Sequence, residues 1–269
     1  VPPILFKSLF PKFNEMMDGG YRDMLMVYIG VTGEGKSTMC RTHIVDGLLQ
    51  GKKCILFITE RSSTRAFHKV LQGCSGLTVD EIGGEKGNNP NRELCRQTWM
   101  AHTENLLQVY PEEFYNDAEI ESKIAWEKPD LICLDYLRES PNMISSTKGK
   151  YEKVDYVGDM AYRLLGISEK YSVPIITGAQ MSEEHARTFT RFDNHVVRVV
   201  YGTARPVQAA QLVYNMKRDK SSPMTGYFRS VKDNFEGIID KVYHLPFDVE
   251  TQIFDLGHHR KGEITFPPV

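Results

Sequence analysis

Apolar residues fall along this chain in two patterns: short unbroken runs, and longer stretches in which apolar positions recur every three or four residues. The runs at 24–29 (MLMVYI), 53–59 (KCILFIT), 130–136 (DLICLDY) and 173–178 (VPIITG) are too short for buried helices and lack the alternation of a strand with one wet face. They predict strands covered on both sides. Val154, Val157, Ala161, Leu164, Leu165 and Ile167 have helical spacing over 154–171 and predict a crossover helix feeding the strand at 173. Leu9, Phe10, Phe13, Met16 and Met17 predict a short helix within 2–22, stopped by Gly19 and Gly20. Strands alternating with helices imply an α/β fold with a mainly parallel central sheet flanked by helices. Later, 211–216, 226–231 and 238–244 read as strands, with turns at Ser221-Ser222-Pro223 and between Asn234 and Gly237. Antiparallel hairpin strands at the C-terminal end of the sheet are therefore expected. Flexible loops are expected at 83–91 and 145–150.

Composition narrows the class without changing that picture. A chain of 269 residues, 41% hydrophobic and 25% charged, can bury a sizeable core without disulfides or a structural metal. Five cysteines with no CxxC spacing are expected to be buried thiols. No apolar run approaches the roughly 20 residues that span a bilayer, so a soluble, cytoplasmic protein with no membrane partner is expected. The net charge of −2 gives no global pull on nucleic acid, and any such contact must come from a local basic surface. The chain opens on Val instead of Met, which suggests a piece of something longer. Residues 1–22 are expected to form a lead-in, 23–242 the catalytic core and 243–269 a C-terminal extension.

One motif carries most of the chemistry. Gly30-Val31-Thr32-Gly33-Glu34-Gly35-Lys36-Ser37 fits G-x-x-x-x-G-K-[ST] between an apolar strand and a helix, the context in which it forms a phosphate loop. Backbone N–H groups from Thr32 to Thr38 would cradle the phosphates of a nucleoside triphosphate, most simply ATP. Lys36 would reach the β and γ oxygens and Ser37 would ligate Mg2+, with the helix N-terminus adding partial positive charge. Asp135, closing the run LICL, is the candidate carboxylate for the metal, whereas Asp130 lies at the other end of that strand. Glu60 ends the strand of 53–59 at the same sheet edge and is the candidate for polarising the attacking water. Gln180 could sense the γ-phosphate.

The order of these features resembles the RecA-like motor domain of DnaB-type hexameric replicative helicases, phage enzymes included. FPKFNEMMDGGYRDMLMVYIG looks like the family's helix and turn before the first strand, GKKCILFITE like the strand ending in the catalytic glutamate, and DLICLDYL like its Walker B element. SVPIITGAQ resembles the strand ending in a Gln switch, and VVYGTARPVQAAQLVYNMKRDK the stretch before a basic finger. The resemblance covers most of 9–232. Three departures stand out: Gln211 replaces the usual Asp of an Ala-Asp pair, Arg61-Ser62 follows the glutamate in place of Met-Ser, and the family's K-x-R followed by Gly-Pro appears as Arg218-Asp219-Lys220-Ser221-Ser222-Pro223. The resemblance implies a RecA-like P-loop ATPase assembled as a homo-oligomeric ring, most simply hexameric, on single-stranded DNA. Arg218 and Lys220, two apart on one strand face, are then candidates for the finger completing a neighbour's site, with Lys217 beside them. Arg187, Arg191 and Arg198, among Phe189 and Phe192, and Lys148 and Lys150 are candidate nucleic-acid contacts. A viral genome-packaging NTPase and a recombination or regulatory ATPase use the same parts and stay open as alternatives.

Overall fold

A computed structural model describes residues 1–58, 63–78, 81, 92–109, 117–137, 150–181, 205–219, 225–237, 239–248 and 253–254. Among these residues nine strands form one sheet in the order β3-β2-β4-β5-β1-β6-β7-β8-β9. The first is β1 (Leu25–Gly30), followed by β2 (Cys54–Ile58), β3 (Leu106–Val109), β4 (Leu131–Leu137) and β5 (Ile175–Gln180). All pairings among these five are parallel. β6 (Leu212–Arg218) also pairs parallel with β1. From there β7 (Thr225–Asp233), β8 (Val242–Asp248) and β9 (Ile253–Phe254) add antiparallel strands. The segment expected as a C-terminal extension thus supplies β9 and most of β8 to the sheet.

Every residue of β1 is buried, and its side chains alternate between two cores, as a strand covered on both faces requires. Met26 and Tyr28 join the core beneath α1 (Pro11–Met16), α2 (Lys36–Leu49) and α3 (Ser63–Ser75). Leu25, Val27 and Ile29 join the core beneath α5 (Asp117–Glu127), α6 (Lys150–Tyr171) and α7 (Arg205–Ala209). On α6 the stripe read from the sequence is the buried one, with Val157, Ala161, Leu164 and Ile167 inside. A further helix, α4 (Arg92–Thr103), precedes the edge strand β3.

Three local details differ from the expectation. Leu9 stays 42% exposed while Phe10, Phe13, Met16 and Met17 are buried, because the helix begins at Pro11. The third late strand begins at Val242, not 238, since Asp240 has a left-handed backbone (φ 66°) and its carboxylate is held by Arg229 at 2.6 Å. β3, a four-residue edge strand, carries too little apolar sequence to announce itself. Cys40, Cys54, Cys74 and Cys133 are buried free thiols and Cys95 is half-buried. No helix among the described residues is long and apolar enough to cross a membrane.

Candidate nucleotide site

β1 ends at Gly30 and α2 begins at Lys36, so the phosphate-loop motif occupies the turn between the central strand and the helix behind it. Gly33 and Gly35 have φ of 85° and 106°, a region that side chains disfavour. Gly35 is also the N-cap of α2 and offers no side-chain cap. A helix start without a side-chain cap suits an anion cradle. Lys36 is buried, and its Nζ donates to the carbonyls of Gly30 and Val31 at 2.9 Å each. Its charge is thereby held over the mouth of the loop. Thr38 is buried in the first turn and accepts from Arg41, while Ser37 is half-buried and Thr32 and Gly33 are exposed.

Neighbouring strands bring the other candidates to this edge. In the parallel register Gly30 lies beside Gln180, and Gln180 Nε2 donates to Thr32 Oγ1 at 2.7 Å. The amide proposed to sense phosphate therefore touches the loop directly. Asp135 is buried at the carboxyl end of β4, in register with Ile58 of β2. The preceding carbonyl, Leu134 O, accepts from Thr177 Oγ1 of β5 and from Cys40 Sγ of α2. The Cys40 bond ties the end of β4 to the helix that carries Ser37, and the Thr177 bond ties it to β5. A hydroxyl and a carboxylate are hard oxygen donors and suit Mg2+, which takes its remaining ligands from phosphate and water. Among the described residues no group of three or more His, Cys, Asp or Glu could hold a metal alone. Asp130, by contrast, accepts from the Lys53 backbone at 2.9 Å at the opposite edge, a structural tie between strands.

Arg218 ends β6, with its guanidinium 5.5 Å over the Phe247 ring of β8. Lys217 is half-buried beside it. Glu60, Lys220, Lys148, Arg187, Arg191 and Arg198 lie outside the described residues, as does the side chain of Lys150 at the start of α6. Two contacts escaped the sequence reading. Glu34, counted only as part of the cradle, is buried and accepts from the Arg218 backbone N–H. Gln211, seen only as a departure, accepts from Leu25 N at 2.6 Å and so caps the start of β1.

A parallel sheet whose central strand opens into such a loop, extended past β6 by antiparallel strands, is the RecA-like form of the P-loop fold. The solved structures agree. One solved ATPase domain superposes with a TM-score of 0.74 at 14% identity, covering 91% of this chain and 88% of that one. A DnaB-like replicative helicase, described with its interactions with primase, gives 0.75 at 13% identity, covering 92% of this chain and 62% of that one. Among curated proteins, the circadian clock oscillator protein KaiC of Rippkaea orientalis (strain PCC 8801 / RF-1) is 27% identical over 125 residues. That match spans 46% of this chain and only 21% of KaiC. No family model matches the chain.

Proposed function

We propose that this chain is an ATP-hydrolysing motor that assembles as a homo-oligomeric ring, most simply a hexamer, and moves along single-stranded DNA as a replicative helicase does. The observation that carries it is the bond from Gln180 to Thr32. It ties the phosphate loop to the strand leading into 182–198, where Arg187, Arg191 and Arg198 are the proposed nucleic-acid contacts. A change at the γ-phosphate would reach that segment along one strand. In the proposed chemistry Ser37 and Asp135 would hold Mg2+, which would supply charge stabilisation at the phosphates; Lys36 would reach the β and γ oxygens and Glu60 would polarise the attacking water. Arg218 and Lys220 would be offered to the neighbouring copy. The likeness to solved ATPase and DnaB-like helicase structures supports a RecA-like ATPase, and a viral genome-packaging NTPase built from the same parts stays open beside the helicase.

The KaiC match supports one second reading, a recombination or regulatory RecA-like ATPase whose nucleotide cycle controls assembly or signalling and not translocation. One experiment separates the two: ATP turnover with and without single-stranded DNA or RNA, alongside solution mass with ATP present. A motor is stimulated several-fold by the nucleic acid it travels on, and turnover indifferent to both would remove the motor reading. Glu60→Gln should keep ATP binding and lose turnover by orders of magnitude. Mixing Lys36→Ala chains with Arg218→Ala chains should restore part of the activity if sites are completed in trans, and no restoration at any ratio would remove Arg218 as the finger.

A further inference from the structure

Glu34 stands at a motif position open to any residue, yet an acid there would repel the phosphates the loop is shaped to hold. Its burial, at 8% exposure, follows from where β1 stops. The β1–β6 ladder runs as far as Ile29 opposite Asn215, after which β1 turns away into the loop. β6 continues to Arg218 with β7 on its other side, Arg218 opposite Gly226. Beyond it, Asp219 N donates to Thr225 O on the β7 side. Arg218 N faces the opposite way, toward the place β1 has left, and Glu34 Oε2 accepts from it. The carboxylate stands in for the strand carbonyl that is no longer there.

A second path joins the same two points. The Arg218 guanidinium lies over Phe247, whose ring centroid is 5.0 Å from that of Phe254. Phe254 packs so close to the loop that a Cβ on Gly35 would stand 3.3 Å from it. Glu34 and Gly35, adjacent in the loop, are thus both connected to Arg218, one through its backbone and one through its side chain. A loop that tightens around phosphate moves these two residues, and the end of β6 must follow.

We propose that Glu34 is a positioning residue coupling the phosphate loop to the end of β6, so that phosphate occupancy resets where Arg218 stands. It rests on the reading of the loop as an ATP site and of Arg218 as the finger offered to a neighbour; each site then reports its state to the next. The test follows hydrogen exchange at the Arg218 amide in the full chain, with and without Mg2+ and a non-hydrolysable ATP analogue, together with ATP turnover. In the unmodified protein the analogue should change that exchange by about fivefold or more. Glu34→Gln keeps an acceptor oxygen and should keep the response. Glu34→Ala should bind the analogue within about threefold of normal, lose the response, and drop kcat about tenfold with KM little changed.

An alanine variant that keeps the response overturns the coupling. So does parallel loss of analogue binding in both variants, which would put Glu34 on the nucleotide itself. A chain whose Arg218 answers the analogue but hydrolyses nothing overturns the motor reading and leaves the coupling standing. Brisk turnover with an unresponsive Arg218 does the reverse.

Discussion

The two ends of α2 bury polar groups in opposite ways. At the N-terminal end Lys36 is held by two backbone carbonyls, and the exposed Thr32 hydroxyl beside it is held by Gln180. A ligand's oxygens can take over such contacts with little rearrangement. Two turns on, the partners are all enclosed: Tyr28 Oη lies 2.8 Å from His43 Nε2, and Tyr21 Oη lies 2.7 Å from His43 Nδ1 and donates to Asp46 Oδ2 at 2.8 Å. Asp46 Oδ1 accepts from Leu9 N and Gln50 Nε2 at 2.8 and 3.0 Å, and Phe13 stacks on the His43 ring. With Asp46 ionised, the single Tyr21 proton goes to the carboxylate, so His43 carries its proton on Nδ1 and accepts from Tyr28 at Nε2. Burial pushes His43 down to about 3 and keeps it neutral. Burial also pushes Asp46 up to about 6, against the opposing pull of its hydrogen bonds. One end of the helix can exchange partners and the other cannot, so the second anchors what the first moves.

Lys36→Ala is the largest expected break in that comparison. Turnover should fall by a factor on the order of a thousand or more, with the thermal midpoint within a few degrees of normal, measured by a coupled assay and a melt. Asp46→Ala should do the opposite, lowering unfolding free energy by about 3 kcal/mol through stranded buried donors while leaving analogue affinity within about threefold. An affinity loss larger than the stability loss would erase the distinction between the two ends.

Smaller and sharper is the pH dependence. The raised Asp46 contributes stability that is fully present below its unfolded value near 3.8 and lost as pH rises through about 6. The lowered His43 works the other way, its contribution present above 6.5 and lost as pH falls toward 3. The two slopes oppose each other between about pH 4 and 6. Asp46→Asn removes one of them, so on going from pH 7 to 4.5 this variant should lose about 2 kcal/mol more than the unmodified chain, read from urea midpoints. The smallest effect belongs to Leu9→Ser. Because Leu9 meets the anchor only through its backbone N–H, stability should change by less than about 0.5 kcal/mol.

The phosphate loop and the strands around it were legible because a fixed motif spacing and unbroken apolar runs are local signals. Asp135 and Gln180 could be placed for the same reason, each closing such a run. The anchor was not legible, since Tyr21, Tyr28, His43 and Asp46 come from an isolated bridge, a strand and a helix and meet only once β1 lies under α2. Glu34 was hidden by a motif that permits any residue there, and its partner is a backbone atom with no sequence signature. Gln211 did leave a trace as a departure from the family pattern, although only the bond to Leu25 N gives that departure a purpose.

The central position of β1 also bears on how the chain is made. Its two flanking strands, β5 and β6, come from far along the sequence, and the Leu25 to Gln211 bond spans 186 residues. Phe254, packed against Gly35, arrives later still, its amide bonding Thr42 across 212 residues. During synthesis the six apolar residues ahead of the loop must wait without strand partners until most of the polypeptide has left the ribosome. Late pairing of this kind makes folding slow, and it means that a chain cut short before β6 would carry the whole phosphate-loop motif yet lack the Arg218 amide that Glu34 accepts from and the Phe254 ring against Gly35.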